Sequence, residues 1–246
     1  MTLVSIIIPV FNEAATVERC VRRVLAASLP DGVSMEVVAV DDASIDGSAD
    51  VLSELARTTP QLTLLRHQKN AGKGAALRTG FAAARGDIML VQDADLEYDP
   101  ADYPVLLGPM LDGRADVVFG SRFRGGTHRV HLFTHYIGNR FLTLVSNLCT
   151  GLNLTDMETC YKVMRRSVVE RLDLRARRFD VEPEITAKVA RMGAKVYEVP
   201  VSYSGRDFDE GKKICWIDGF AALWAILRFN FLSRGPERLP KHHRQA

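Results

Sequence analysis

Short apolar runs alternate with helical patterns through the first half of the chain. Five runs rich in β-branched and aliphatic residues predict buried strands: residues 3–10, 35–40, 62–66, 88–92 and 117–120. Between them, apolar residues recur at helical spacing, as in residues 14–28, where Val17, Val21 and Val24 share one face. Alternating strands and helices are typical of a doubly wound α/β sheet, in which ligands bind beyond the carboxyl ends of the strands.

The pattern changes after about residue 127. Helices are predicted over residues 135–149 and around 187–192, and short strands over 161–164 and 196–201. We interpret this stretch as the second half of the same domain, and the predicted fold class is a doubly wound mixed α/β sheet. A last helix, about 217–232, stands apart. The predicted division is a main domain over 1–213, an amphipathic helix over 214–233 and a flexible basic tail over 234–246.

Composition narrows the class of protein. Of 246 residues, 47% are hydrophobic and 25% charged, as expected for a globular chain with a sizeable core. The net charge of +2 is too balanced to indicate a nucleic-acid partner.

Residues 3–10 lack the basic flank and cleavage site of a signal peptide, so they are interpreted as a strand. Residues 214–232 are interrupted by Asp218 and Arg228, which leaves them short of a membrane span.

The cysteines favour free thiols in a reducing compartment. They are scattered and form no CxxC pair, so neither a zinc site nor a disulfide framework is expected. The four positions are Cys20, Cys149, Cys160 and Cys215.

An acidic cluster follows the apolar run at residues 88–92. Asp93, Asp95 and Glu97 occupy alternate positions, so in an extended segment their carboxylates point the same way. Oxygen ligands of this kind suit Mg²⁺ or Mn²⁺, which commonly bridge phosphates. A solvated acidic turn is the alternative. A carboxylate left in a crevice without a cation or base would be costly, which favours the metal site.

A second carboxylate pair ends the strand at residues 35–40. In a nucleotide-binding crevice, Asp41 suits hydrogen bonds to a base or ribose. The alternative is a helix N-cap and turn, for which Ser44 and Asp46 are the better candidates.

Gly72, Lys73 and Gly74 resemble part of a phosphate-binding loop. The segment fails the Walker pattern because Gly74 follows the lysine, and it fails GxGxxG because Leu77 occupies the third glycine position. What remains is a lysine at a helix N-terminus, suited to an anion. A plain helix start explains it equally well.

Several charged residues further along have both a functional and a structural interpretation. Arg122 and Arg140 have the permanent charge and bidentate geometry that phosphate requires, but either could form an ordinary ion pair. Glu182 and Glu184 fit the acidic first turn of a helix, and residues 206–213 form a basic loop.

Taken together, the motifs carry a family resemblance. They occur in order as SIIIPVFNE at 5–13, VDDASID at 40–46, KNAGKGAA at 69–76, QDADLE at 92–97 and GSRF at 120–123. This combination resembles the family 2 inverting glycosyltransferases, which have a GT-A fold. The later stretches GNR at 138–140, LTD at 154–156 and EVPV at 198–201 resemble the polyprenyl-phosphate (dolichyl-phosphate) sugar synthases, mannosyl synthases among them. The resemblance covers roughly residues 3–215.

The resemblance implies a role for each motif residue. The donor site would comprise Pro9, Phe11, Glu13, Asp41, Lys73, Asp93, Ala94 and Asp95. Asp93 and Asp95 would hold Mg²⁺ or Mn²⁺ and the diphosphate. Glu97 stands where family members often have Gln, and its carboxylate is still expected to ligate the ion. Arg122 and Arg140 would bind the acceptor phosphate, with Arg206 and Lys213 beside them.

The function implied is inverting transfer of a sugar from a nucleotide sugar, GDP-mannose in the favoured case, to a polyprenyl monophosphate. Because that acceptor is already anionic, no strong general base is required. One alternative is a UDP-sugar donor, UDP-glucose or UDP-N-acetylhexosamine, used on the lipid phosphate or on a saccharide. A sugar nucleotidyltransferase is another, although residues 11–16 lack its Gly-rich signature. A non-catalytic nucleotide-binding module is disfavoured by the intact Asp93 and Asp95.

The last predicted helix fits a lipid acceptor. Its aromatic and apolar residues, beside Arg228 and the basic tail, suit a membrane interface. They are Trp216, Phe220, Trp224, Leu227 and Phe231. Packing on the core or on a membrane-spanning partner protein is the alternative. The expected location is the cytoplasm, peripheral on the cytoplasmic face of a membrane.

Overall fold

The computed structural model describes residues 1–125, 133–178, 180–205, 216–233 and 235–240, with only the backbone given for 216–218. Its strands form one seven-stranded sheet in the order β3-β2-β1-β4-β6-β5-β7. They are β1 Thr2–Val10, β2 Val33–Asp41, β3 Leu62–Arg66, β4 Ile88–Val91, β5 Val117–Ser121, β6 Lys162–Arg165 and β7 Val196–Pro200.

Helices cover the sheet between these strands. They are α1 Val17–Leu25, α2 Ser48–Thr58, α3 Lys73–Ala83, α4 Tyr103–Leu111, α5 Phe133–Thr150, α6 Arg166–Val169, α7 Val181–Met192 and α8 Trp216–Leu227, followed by a π-helical turn, Arg228–Leu232. The central strand shows why the chain folds this way. Ile6, Ile7 and Ile8 are consecutive and fully buried, as expected for a parallel strand covered on both faces.

The sheet is mixed because β6 runs antiparallel to its two neighbours, β4 and β5. The strands β2, β1 and β4 are parallel neighbours, so their carboxyl ends meet at one edge. Since β6 runs the other way, its beginning at Lys162 lies at that same edge. This edge therefore collects the turns after β1, β2, β4 and β5 and the turn before β6. The predicted doubly wound mixed α/β fold is confirmed.

Two helices depart from the sequence pattern. Helix α1 begins at Val17 rather than Ala14, because the carbonyl of Glu13 accepts the amides of Thr16 and Val17 and keeps the preceding residues in a turn. Helix α4 is absent from the predicted elements because it contains Pro109. Asp99 Oδ1 accepts the amide of Ala101 at 3.0 Å and starts the 3₁₀ turn that leads into it.

The C-terminal helix α8 packs against α5 and α7. Ala225, Ile226 and Phe229 are buried, whereas Phe220 and Trp224 are exposed by 66% and 57%. Beyond the helix, the amide of Leu239 donates to the carbonyl of Met192 at 3.0 Å. No described helix is long and apolar enough to cross a membrane. The predicted boundaries at 213 and 234 stay predictions, since residues 206–215, Arg234 and 241–246 lie outside the described part.

The cysteines that the structure describes are free. Cys20 and Cys160 are buried and Cys149 is half-buried. Cys215 lies outside the described residues.

Candidate active site

Strained turns mark the three parallel strand ends. Asn12 after β1, Ala43 after β2 and Leu96 after β4 have positive φ angles of 54°, 61° and 65°. A non-glycine residue in this region is disfavoured by its Cβ and persists only where its surroundings hold it. Such residues cluster at functional sites, so these angles support a site at this edge independently of residue chemistry.

The loops after β1 and β2 are hydrogen-bonded to each other. The amide of Asn12 donates to Ser44 Oγ at 3.0 Å, and Asn12 Oδ1 accepts the amide of Ile45 at 3.0 Å. The amide of Glu13 donates to Ser48 Oγ at 2.8 Å. We call these two joined loops the two-loop wall. The predicted donor residues Phe11 and Glu13 lie on it, with Phe11 39% exposed, whereas Pro9 lies within β1.

Asp41 lies at the base of this wall and is fully buried. Its Oδ1 accepts the amide of Ser44 at 3.3 Å, but Oδ2 has no hydrogen-bond partner among the described residues. Arg66 Nε approaches Oδ2 only to 3.6 Å. A buried acceptor without a donor is unfavourable, and the N–H of a bound nucleobase or a ribose hydroxyl would satisfy it.

The neighbouring carboxylate, Asp42, has a structural role. It accepts the amides of Ala71 and Gly72 at 2.9 and 2.7 Å, and its Oδ1 lies 2.6 Å from His67 Nδ1. The other ring nitrogen of His67 lies 2.8 Å from Thr79 Oγ1. Asp42 therefore shapes the loop that enters α3.

The glycines of that loop are required by packing. A Cβ at Gly72 would lie 2.2 Å from the carbonyl oxygen of Arg177, and one at Gly74 would lie 2.5 Å from that of Ala176. The amide of Gly74 already donates to Arg177 at 2.9 Å. The glycines thus have a structural explanation that needs no phosphate, and they fix the position of Lys73 between them.

Lys73 is a buried cation between two carboxylates. Its Nζ lies 2.9 Å from Asp93 Oδ1 and 2.9 Å from Glu182 Oε1. Burial by itself lowers the pKa of Lys73, but Asp93 and Glu182 outweigh it and hold the pKa well above its ordinary value. Lys73 therefore stays charged and supplies a fixed positive charge beside the acidic cluster.

The acidic cluster itself is spread out. Asp95 Oδ1 accepts the amide of Glu97 at 3.1 Å, and Glu97 Oε2 accepts the Tyr203 hydroxyl at 2.7 Å. Within the described part of the chain, no three His, Cys, Asp or Glu side chains converge to hold an ion. Mg²⁺ commonly uses only one or two carboxylates and takes its other ligands from substrate phosphates and water. Asp93 and Asp95 fit that donor set, and the predicted role of Glu97 as a third ligand stays a prediction.

Arg122 lies at the end of β5 in a bidentate ion pair. Its Nε and Nη2 donate to the two oxygens of Asp156 at 2.6 and 2.8 Å, and its guanidinium carbon lies 5.1 Å from the centre of the Tyr203 ring. The structural interpretation of this arginine is therefore confirmed. Binding of an acceptor phosphate stays a prediction, and it would have to use the remaining nitrogen, Nη1.

The other predicted phosphate ligands are placed differently. Arg140 is exposed on α5. Its neighbour Asn139 donates to Asp156 Oδ1 at 3.3 Å, so the partner of Arg122 also anchors this turn of α5. Arg206 and Lys213 lie outside the described residues.

Several charged groups at this edge were not predicted as site residues. Glu158 lies in the turn before β6, and its Oε1 is buried without a hydrogen-bond partner in the described part. Burial and the nearby Glu182 raise the pKa of Glu158 to about 8. Lys162 is buried beneath it, and burial lowers the pKa of its ammonium. A lone acid or lysine carries no sequence pattern, so only the fold brings these groups together.

The predicted helix start at Glu182 and Glu184 is confirmed, and both acids also have specific partners, of which only that of Glu182 is distant in the chain. Glu182 pairs with Lys73, as described above. Glu184 accepts the amides of Arg175 and Ala176 at 2.9 and 2.7 Å and pairs with Lys188 at 2.7 Å. The helical pattern predicts the acidic turn and allows the pair with Lys188, which is four residues along the same helix. It contains no signal for the contacts with Lys73, Arg175 and Ala176.

Comparison with protein families gives one match over most of the chain. The model described as Glycosyl transferase family 2 matches residues 5–173. Among curated relatives, the undecaprenyl-phosphate mannosyltransferase of Micrococcus luteus is 31% identical over 228 residues, covering 88% of this chain and 90% of the relative. The dolichol-phosphate mannosyltransferase of Pyrococcus furiosus is 31% identical over 212 residues, covering 85% and 58%.

A third relative is the undecaprenyl-phosphate 4-deoxy-4-formamido-L-arabinose transferase of Pseudomonas aeruginosa (strain LESB58). It is 32% identical over 211 residues, which cover 85% of this chain. The match spans 60% of that relative's length.

Solved structures share the fold. Glucosyl-3-phosphoglycerate synthase from Mycobacterium tuberculosis, in complex with Mn²⁺, UDP and glucosyl-3-phosphoglycerate, superposes with a TM-score of 0.68 at 20% identity, over 93% of this chain and 80% of that one. A mannosyltransferase from Pyrobaculum calidifontis, in complex with GDP-Man and Mn²⁺, gives a TM-score of 0.57 at 23% identity, over 82% and 56%.

Proposed function

Because the chain belongs to glycosyl transferase family 2, we propose that it transfers a sugar from a nucleotide sugar to the monophosphate of a polyprenyl lipid, with inversion at the anomeric carbon. GDP-mannose is the favoured donor. The observation that carries the proposal is that one edge of the sheet collects both acidic and basic groups. Asp41, Asp93 and Asp95 follow β2 and β4 there, Lys73 pairs with Asp93, and Arg122 follows β5. The curated relatives named as undecaprenyl-phosphate and dolichol-phosphate mannosyltransferases support the choice of acceptor and sugar.

The donor nucleotide fits the two-loop wall. Asp41 Oδ2 would accept a hydrogen bond from the base or ribose, while Phe11 offers an exposed ring at the mouth. Asp93 and Asp95 would hold a divalent cation, Mg²⁺ or Mn²⁺, which when bound neutralises charge on the departing diphosphate. Lys73 holds Asp93 in place from beneath.

The acceptor side requires orientation more than proton transfer. A lipid monophosphate is already anionic, so it can attack without losing a proton to the protein. Arg140, exposed on α5, and the remaining nitrogen of Arg122 would hold that phosphate in line with the anomeric carbon. Residues 206–215 would contribute Arg206 and Lys213.

The acceptor lipid would bring the protein to a membrane. The exposed aromatics of α8, with Trp224 57% exposed, suit peripheral binding to the cytoplasmic face. A membrane-spanning partner protein that covers the same helix is the alternative occupant of this surface.

A saccharide acceptor is the second candidate, and the observation that favours it is the raised pKa of Glu158 at this edge of the sheet. A sugar hydroxyl must lose a proton as it attacks, so such an enzyme needs a general base. Glu158, with its pKa raised to about 8, could serve in its deprotonated form, which predominates above that pH. The Glu158→Gln variant separates the two: transfer to lipid phosphate should persist, whereas transfer to a hydroxyl should fall by at least about a hundredfold.

The direct test uses purified protein, a panel of GDP- and UDP-sugars, Mn²⁺ or Mg²⁺, and vesicles that contain polyprenyl phosphate. Thermal shifts identify the donor, because a ligand bound by the native state raises the melting temperature. Mass spectrometry of the extracted lipid then detects the glycosyl phosphate. Formation of free sugar alone, or of a glycosylated saccharide and no lipid product, would overturn the proposal.

A further inference from the structure

The turn between the two halves of the acidic cluster is strained. Leu96 has a φ of 65° and lies between Asp95 and Glu97. A leucine in the left-handed region is unfavourable, so contacts from elsewhere must hold this turn. The direction of the Asp95 side chain depends on the turn, because the residue directly precedes Leu96.

The contacts that hold the turn come from the segment after β7. The Tyr203 hydroxyl donates to Glu97 Oε2 at 2.7 Å, and the amide of Ser204 donates to the Glu97 carbonyl at 2.8 Å. Tyr98 and Tyr203 form an isolated antiparallel bridge. The turn is therefore fastened on its C-terminal side by residues more than a hundred positions away.

The ring of Tyr203 is itself held by two contacts. The ring centre lies 5.1 Å from that of Tyr98 in an edge-to-face contact, and 5.1 Å from the guanidinium carbon of Arg122. One side chain thus contacts both the acidic cluster and the arginine of the predicted acceptor side.

We propose that Tyr203 is a positioning residue that holds the left-handed turn at Leu96 and thereby sets the direction of the Asp95 carboxylate toward a divalent cation bound with the donor. The proposal rests on the proposed function, since it assumes that Asp95 meets a cation. It assigns Tyr203 no contact with substrate. Outer groups that orient a ligand typically contribute about 10- to 100-fold to metal affinity.

The test is binding of Mn²⁺ in the presence of GDP or UDP, measured by electron paramagnetic resonance without acceptor. Tyr203→Phe keeps the ring contacts and removes only the hydroxyl, so the Kd for Mn²⁺ should rise about tenfold. The Kd for the nucleotide without metal should not change. Tyr197→Phe is the matched control, because Tyr197 is a partly exposed tyrosine on β7 that contacts Arg114.

A second variant tests the turn itself. Glycine adopts positive φ readily, so Leu96→Gly should hold the left-handed turn without help from Tyr203. Adding Leu96→Gly to Tyr203→Phe should bring the Kd for Mn²⁺ back to within about threefold of the Leu96→Gly value. A structural role alone predicts a lower melting temperature and no such recovery.

The outcomes separate this proposal from the proposed function. An unchanged Mn²⁺ affinity in Tyr203→Phe, or a tenfold loss that Leu96→Gly does not reverse, overturns the positioning role. If the wild-type protein binds no Mn²⁺ with either nucleotide, both proposals fail. If Mn²⁺ binds as described but no sugar reaches the lipid, only the proposed function fails.

Discussion

Lys73 forms a partly buried ion pair with Asp93, with the ammonium nitrogen 2.9 Å from Oδ1. The same nitrogen lies 2.9 Å from Glu182 Oε1, on a helix more than a hundred residues away. This lysine therefore joins the strand-end cluster to α7.

Lys73→Met should destabilise the fold, because it leaves the buried Glu182 and the partly buried Asp93 beside each other with no cation. Breaking a buried pair typically costs about 3–5 kcal/mol. Since the folded pKa of Lys73 is raised, its contribution is fully present below its unfolded pKa and is lost only as the pH rises through the folded value. Urea unfolding at pH 7 measures the loss, and Lys195→Met, at an exposed site, should change little. A loss below 1 kcal/mol, about one pKa unit, would contradict a stabilising role.

Glu158 should make stability pH-dependent. Its folded pKa of about 8 exceeds the ordinary 4.5, so the folded state holds one more proton between these values. Stability should therefore fall as the pH rises through that window, at most by about 1.4 kcal/mol per unit. Glu158→Gln should flatten the profile in urea unfolding from pH 5 to 9. Equal slopes in wild type and variant would show that Glu158 does not titrate in this range.

Asp95→Ala should abolish transfer and leave the fold intact. The side chain lies at a strand end, where its Oδ1 accepts the amide of Glu97. Titration calorimetry with the nucleotide sugar should show affinity that no longer depends on Mn²⁺. Transfer at a near wild-type rate would remove Asp95 from the metal site.

The two arginines should differ in what their loss does. Arg140→Ala, at an exposed site, should raise the KM for lipid phosphate and leave stability and donor affinity unchanged. Arg122→Ala leaves the buried Asp156 without its cation and should lower the free energy of unfolding by about 3–5 kcal/mol. Unfolding and acceptor kinetics on both variants check this. An unchanged acceptor KM in Arg140→Ala would remove it from the acceptor site.

The exposed face of α8 and of the π-helical turn that follows it should bind membranes reversibly. Replacing Phe220, Trp224 and Phe231 by serine should abolish flotation with anionic vesicles, because each side chain is worth about 1.5–3 kcal/mol when fully buried. The melting temperature should stay the same, since these residues are exposed. Ile226→Ala is the opposite control: it should destabilise by about 2–5 kcal/mol and still float. Undiminished flotation of the triple variant would refute the interfacial role.

Much of the fold could be predicted from local pattern. The run of isoleucines at Ile6–Ile8 requires a strand covered on both faces, and β3 has the predicted ends, Leu62–Arg66. Helix α4 was not predicted, because a proline within an apolar segment normally indicates that no helix forms there. In the structure, packing holds this segment as a helix despite Pro109.

The site could be predicted only where a residue with a reactive or ligand-binding side chain directly follows a predicted strand. Asp41 and Asp93 follow apolar runs, and the parallel sheet does bring them to one edge. The prediction chose Asp41 and not Asp42 for the nucleotide. In the structure Asp41 has a buried oxygen without a hydrogen-bond partner among the described residues, whereas Asp42 binds the α3 loop. For the glycines at 72 and 74 the prediction left an anion-binding turn and a plain helix start equally open, and their closeness to Arg177 and Ala176 gives them a packing explanation.

The sequence by itself determined where the strands lie and which acids follow them. Apolar runs form the strands, and an acid placed directly after a parallel strand must lie at the carboxyl edge of the sheet. Only the tertiary structure decided which charges meet. Lys73 with Glu182, Arg122 with Asp156 and Tyr203 with Glu97 are pairs far apart in the chain. Their partners are set by how helices and loops pack over the sheet, and a single sequence carries no local signal for a contact that depends on folding of the whole domain.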